Sequence, residues 1–259
     1  MTISEYHRPV SLDEALTCLG QKDPPCVPLA GGTGINGYGK MNVGVVDLQL
    51  LGLNRIDEEG AWIKVGATAT LQALLDSTII PLPLKKVLGL EATYNQRQMA
   101  TVAGKLVTAD GRSPLATALI AMDAELTWEP GEVKIGLGDW LPVRGPLTRV
   151  DGKKPGLVIT SVKWLARMAF VFHYIARTPA DKPIVCVGMA GWASGRRRVA
   201  IGGFGLAPLL VMDGPEAAGA EEAVNDAYSQ AGDEWASAAY RQEMAVVLTR
   251  RCLEELDGI

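Results

Sequence analysis

The stretch Ala30-Gly31-Gly32-Thr33-Gly34-Ile35-Asn36 directly follows a short apolar run, Cys26-Val27-Pro28-Leu29. Successive glycines admit positive φ and close approach, so backbone N–H groups there can converge on a phosphate or pyrophosphate. The pattern is not GxGxxG, because no helical period opens behind it. Nor is it a Walker A loop, because no Gly-Lys-Ser/Thr follows. On residue types alone it is either an anion cradle or an ordinary glycine-rich turn. A second segment, Arg97-Gln98-Met99-Ala100-Thr101-Val102-Ala103-Gly104-Lys105, joins small side chains, a hydroxyl and two cations. Arg97 or Lys105 can meet a phosphate there. The plainer alternative is a strand with a small-residue packing face.

Other chemistries find little support. His7 and His173 lie far apart in sequence, and Cys18, Cys26, Cys186 and Cys252 form no CxxC pair. This spacing predicts neither a triad nor a metal site, and four reduced thiols. The chain has 259 residues, 25 Lys+Arg against 29 Asp+Glu, and a net charge of -4. It lacks the basic stripe that nucleic acid requires. With 48% hydrophobic residues it can bury one large core or two modest ones. No run reaches the roughly 18 apolar residues of a membrane span, and the polar start carries no leader pattern, so a soluble, cytoplasmic protein is expected.

The elements that must position the glycine segments are readable in outline. Ser11 can cap a short helix ending at Gly20, with Glu14 reaching back. A strand, the glycine loop and a second strand through Val43 to Leu48 follow, Pro28 marking an edge or strand end. Ala61 to Ala67 alternates as a strand, Thr70 caps the next helix, and Ser113-Pro114 opens another. Strands are expected at Ala124 to Trp128 and Val133 to Leu137, then a loop from Gly145 to Gly156. Strand-like runs follow at Leu157 to Trp164, Phe170 to Ile175, Ile184 to Ala193 and Arg197 to Phe204, with short turns that predict antiparallel pairing. Ala217 to Ala231 and Ser237 to Leu256 read as helices. Arg196-Arg197-Arg198 reads as a solvated hairpin end, Arg250-Arg251 as partners of a helix dipole, and the tryptophans as core or contact residues.

Several stretches in this order resemble the medium, FAD-binding subunit of molybdenum hydroxylases, the group of the aerobic carbon monoxide dehydrogenases and xanthine dehydrogenases. They are Tyr6-His7-Arg8-Pro9, Leu29-Ala30-Gly31-Gly32-Thr33, Val46-Asp47-Leu48, Ile63-Lys64-Val65-Gly66-Ala67 and Asn95-Gln96-Arg97. Later marks are Leu119 to Leu126, Val199 to Pro208 and Ser237 to Arg241. The resemblance implies an α+β (mixed α/β) fold, with a two-lobed PCMH-type FAD-binding domain over residues 1-165, its lobes at about 1-55 and 56-165. A small α+β C-terminal domain with an antiparallel sheet and helices would occupy 166-259. It further implies FAD held by Leu29, Ala30, Gly31, Gly32, Thr33, Gly34, Ile35 and Asn36, and by a second loop of Thr101, Val102, Ala103, Gly104 and Lys105.

By the same resemblance, partners would be a large molybdenum-cofactor subunit and a small [2Fe-2S] subunit, in a dimer of heterotrimers. This chain would pass electrons through FAD to an acceptor, without a catalytic acid or base of its own. The second loop departs from the family's Thr-Ile-Gly-Gly-Asn pattern at Ala103 and Lys105. Pro114 stands where a family aspartate would contact the flavin side, a role that falls to Asp110 if the loop is shifted. His173 or Tyr174 replaces a family lysine near the C-terminal domain's first strand pair. The rival reading is a flavin-free scaffold of the same complex. An autonomous oxidase is disfavoured, because neither glycine segment holds a Cys or His to anchor a flavin.

Overall fold

The computed structural model describes residues 2–35, 42–144, 156–179 and 181–258. The chain opens with β1 (Thr2–His7), α1 (Leu12–Leu19), β2 (Cys26–Leu29) and β3 (Asn42–Asp47). These strands form a parallel sheet in the order β1-β3-β2, so the glycine segment is part of a crossover between two adjacent parallel strands. Ser11 Oγ accepts the Glu14 N–H and caps α1, while Glu14 reaches the Val10 N–H. α1 buries Ala15 and Leu19 against Cys26, Val46 and Leu48. Pro28 sits in the edge strand β2, where its missing N–H leaves no gap in the ladder. β1 is not evident from composition, because its residues are mostly exposed and polar.

A second sheet has the order β4-β5-β8-β6-β7 and is antiparallel. Its strands are β4 (Ile56–Glu59), β5 (Trp62–Gly66), β6 (Glu125–Glu129), β7 (Val133–Gly136) and β8 (Val158–Leu165). Between β5 and β6 come α2 (Leu71–Asp76), α3 (Leu82–Glu91), α4 (Tyr94–Arg97), α5 (Val102–Val107) and α6 (Pro114–Ala121). The short α7 (Leu137–Trp140) follows β7. Most of the expected loop from Gly145 to Gly156 lies outside the described residues.

The third sheet, antiparallel in the order β12-β11-β10-β9, is built from β9 (Ala169–Ile175), β10 (Val185–Gly191), β11 (Arg197–Gly202) and β12 (Leu209–Gly214). α8 (Ala220–Ala227) and α9 (Ala238–Asp257) cover one face, burying Val224, Ala245, Leu248 and Cys252 against Val185, Val187 and Val199. α6 explains how the second and third sheets share a core. All eight of its residues are buried, as expected of a helix that is apolar all round, and Phe170, Ala190 and Ala200 of the third sheet join its cluster.

The arginine run corrects the solvated-hairpin expectation. Arg198 is buried and pairs with Asp123 and Asp213, while Arg196 makes a two-pronged contact with Asp213 at 2.7 Å on each prong. That fork ties the hairpin to β12, because both donors match one carboxylate, while the Asp123 contacts of Arg196 and Arg198 hold it to the turn after α6. Arg250 likewise pairs with Glu221 of α8 rather than with its own helix end.

Candidate functional site

The two glycine segments are brought together. Gly31 lies against the backbone before α5, where a β-carbon on it would stand 1.7 Å from the Met99 carbonyl oxygen. Gly34 packs on the far end of the same helix, where a β-carbon would stand 2.5 Å from Thr108 Cγ2. Between these two contacts the loop arches outward: Gly32 adopts φ +69°, and the Ile35 N–H turns back to the Gly32 carbonyl at 3.4 Å. Behind it, the Leu29 carbonyl accepts from Leu48 N–H at 2.8 Å, tying the root of the loop to the end of β3. Among the described residues, the N–H groups of Gly31, Gly32, Thr33 and Gly34 have no acceptor, and Gly32 and Thr33 are exposed. A row of free N–H groups on a turn with one left-handed residue is the donor set that an anion fits. Ala30 leads into this turn and Ile35 ends it; Asn36 lies outside the described residues.

The second segment is not a loop. Thr101 is the N-cap of α5, its Oγ1 accepting from Gly104 N–H, so Val102 to Lys105 form the first turn of a helix. Its backbone donors are already engaged: Val102 N–H with the Ala69 carbonyl at 2.9 Å, Ala103 N–H with Ala67 at 3.2 Å, and Lys105 N–H with Thr101 at 2.9 Å. The reason is a tertiary contact, since the chain at Ala67 to Thr70 runs beside Thr101 and bridges to it. Ala103 points its methyl group into the core. Lys105 is not free for a phosphate either; its ammonium stands 3.0 Å from the buried carboxylate of Glu91. That carboxylate also accepts from Ser113 Oγ at 2.8 Å and from Leu115 N–H at 3.1 Å, so α3, α5 and the start of α6 meet on one charge pair. Arg97 donates to Gln72 and to the Ala92 carbonyl.

Asp110 stands at the junction with the third sheet. Its carboxylate accepts from Arg112 N–H and pairs with Lys182 at 3.0 Å. Beside it, Gly111 is pinned: its N–H donates to the Gly205 carbonyl, its carbonyl accepts from Gly203 N–H, and a β-carbon would stand 1.8 Å from Phe204 O. Arg112 donates to the Lys182 and Pro183 carbonyls and lies 4.4 Å from the Trp235 ring centroid, with Arg177 4.2 Å from the same centroid. Pro114 is buried at the start of α6, and His173 meets Glu255 of α9 at 2.8 Å. Thr108 and Gly111 were not among the candidate residues, and Met99 stood only as one member of the second segment. Gly111 alone carried a signal, as an isolated glycine in a polar stretch.

A parallel sheet with a free-amide crossover loop, backed by an antiparallel sheet and short helices, defines a two-part flavin-binding fold. Residues 2–162 match the family model described as the FAD binding domain in molybdopterin dehydrogenase, and the chain belongs to that family. It is 27% identical over 254 residues to the uncharacterized protein YgfM of Escherichia coli (strain K12), an alignment covering 95% of this chain and 93% of that one. Reconstituted CO dehydrogenase from Oligotropha carboxidovorans contains a chain of the same fold, with TM-score 0.82, 23% identity and 100% and 99% of the two chains covered. Quinoline 2-oxidoreductase from Pseudomonas putida 86 contains another, with TM-score 0.77, 20% identity and coverage of 99% and 98%. No helix of the described residues is long and apolar enough to cross a membrane.

Proposed function

We propose that the chain is the FAD-binding electron-transfer subunit of a molybdenum hydroxylase complex, taking electrons from iron-sulfur clusters of a small [2Fe-2S] subunit that are filled at a large molybdenum-cofactor subunit. The observation that supports this most directly is the row of N–H groups from Gly31 to Gly34 that have no acceptor among the described residues, on a loop packed against α5 in a chain of this family. When bound, FAD supplies the redox chemistry. This chain's residues bind and orient it. The Gly31 to Gly34 amides take the pyrophosphate, Leu29, Ala30, Ile35 and Asn36 frame that loop, and Thr101 to Lys105 back it as a rigid helical turn. Asp110 lines the far side, where Lys182 fixes its carboxylate.

The assembly belongs to the same reading, with a dimer of heterotrimers as its expected form and the cytoplasm as its location. So does a division near residue 165, where β8 of the second sheet ends and β9 of the third begins. Large apolar side chains flank the pinned backbone: Met99 is 60% exposed beside Gly31, and Leu206 is 91% exposed beside Gly205. Exposed apolar groups of this size mark a face that a partner covers. The test is the absorbance spectrum of the chain co-expressed with both partner types and isolated by size exclusion. A flavin band on a three-component species is expected; a colourless chain eluting alone contradicts the proposal. A flavin-free scaffold is the second reading, favoured by one observation: the N–H groups of Val102 and Ala103 are engaged within the protein rather than turned toward a ligand.

A further inference from the structure

Away from the glycine loop, three metal-ligating side chains converge on the first sheet. A carboxylate oxygen of Glu5, a ring nitrogen of His7 and the sulfur of Cys26 all lie within 4.8 Å of one another, although Cys26 is on β2 and the other two are on β1. The register explains the convergence. Glu5 and Cys26 are both paired with Gly44 of the central strand β3, one from each side, and His7 is two residues further along β1, on the same face as Glu5. At the point between them β3 has no side chain. A β-carbon on Gly44 would stand 2.5 Å from Cys26 Sγ and 3.6 Å from Glu5 Cβ, so the glycine leaves the gap across which the outer strands' donors meet. His7 Nε2 and Glu5 Oε2 are 3.0 Å apart, and Cys26 Sγ donates to Gln21 Oε1 at 3.2 Å. The thiol is buried, whereas the imidazole and carboxylate reach solvent, which gives an ion a way in.

We propose that Glu5, His7 and Cys26 bind one zinc ion, with water in the fourth position. A mixed sulfur, nitrogen and oxygen donor set on three side chains suits zinc, and it excludes calcium and magnesium, which take oxygen alone. Donor atoms this close need only small rotations to reach roughly 2.0 to 2.3 Å from a common centre. The bound ion joins the two outer strands across β3, four residues before the glycine loop begins at Ala30. The site therefore braces the root of that loop and has no part in electron transfer.

The test uses the full chain, stripped with a chelator and titrated with cobalt(II) as a coloured substitute for zinc. One equivalent should bind and give a thiolate-to-cobalt charge-transfer band, which zinc then bleaches. Cys26→Ser should remove the band. His7→Ala, at a partly exposed position, should keep the fold and weaken binding by about 100-fold, the share of one ligand in a structural zinc site. Cys18→Ser should leave both band and affinity unchanged. Absence of the band in protein shown to be folded by circular dichroism would overturn the proposal. So would a band that survives Cys26→Ser or is lost with Cys18→Ser.

Discussion

Gly31 rests its α-carbon so closely against the carbonyl of Met99 that a β-carbon would lie 1.7 Å from that oxygen. Backbone stands on both sides of this contact, so no side-chain rotation relieves a methyl group there. Gly31→Ala should therefore destabilise the chain by more than about 4 kcal/mol, in the range reserved for forced rearrangement. Gly32→Ala separates space from conformation, because the nearest atom to its β-carbon would be Leu29 Cδ1 at 3.6 Å while φ is +69°. Only the left-handed conformation opposes that change, at about 1 to 2 kcal/mol. Urea unfolding of the two variants checks the ranking, and equal losses would show that the contact at Gly31 is not tight.

Lys105 is predicted to matter through Glu91. Lys105→Asn restores the residue the family pattern carries, yet it leaves a buried carboxylate without its cation and should cost about 3 kcal/mol. Adding Glu91→Gln removes the stranded charge, keeps an acceptor for Ser113 and Leu115, and should recover most of the loss. A double-mutant cycle in urea measures this coupling. Additive losses would mean that the pair does not interact.

What was legible in the sequence followed from local chemistry. The caps at Ser11, Thr70 and Ser113 were visible because a hydroxyl three residues ahead of an N–H declares itself in one dimension. The loop from Ala30 was visible because clustered glycines have few other uses. The edge strands β1, β4 and β12 were missed, since their residues alternate weakly or carry charge, as edges do. The helix at Val102 to Val107 was missed because Thr101 with small residues behind it fits a strand equally well. Its engaged N–H groups depend on Ala67 and Ala69, more than thirty residues earlier, which no local pattern reveals.

Asp213 ties acid stability to the arginine hairpin. The hydrogen bond from Arg196, reinforced by the charge of Arg198, holds its carboxyl below the usual value despite partial burial. A depressed folded-state pKa contributes stability that is complete above the unfolded value of about 3.9 and is lost as pH falls through the folded one. Stability measured from pH 6 down to pH 2 should thus drop below about pH 4, and Asp213→Asn should flatten that limb. An unchanged acid limb in the variant would remove Asp213 from the account.

The thiols should separate by burial. Cys186 and Cys252 are pushed up to about 12 by burial, which keeps them protonated and shielded in the folded protein. Iodoacetamide applied to the native chain should label Cys18, which is half-buried, and spare these two until the protein unfolds. Peptide mass spectrometry reads the sites, and native labelling of Cys186 would contradict the packing around Thr117.

The claim that the Gly31 to Gly34 amides hold a pyrophosphate is tested most directly by titrating the flavin-free chain with FAD and with riboflavin, which shares the ring but lacks the phosphates. Two charge-assisted hydrogen bonds of about 1.5 kcal/mol each predict that FAD binds about 100-fold more tightly, through the quenching of its fluorescence. Equal affinities for FAD and riboflavin, or no binding of either, would contradict it.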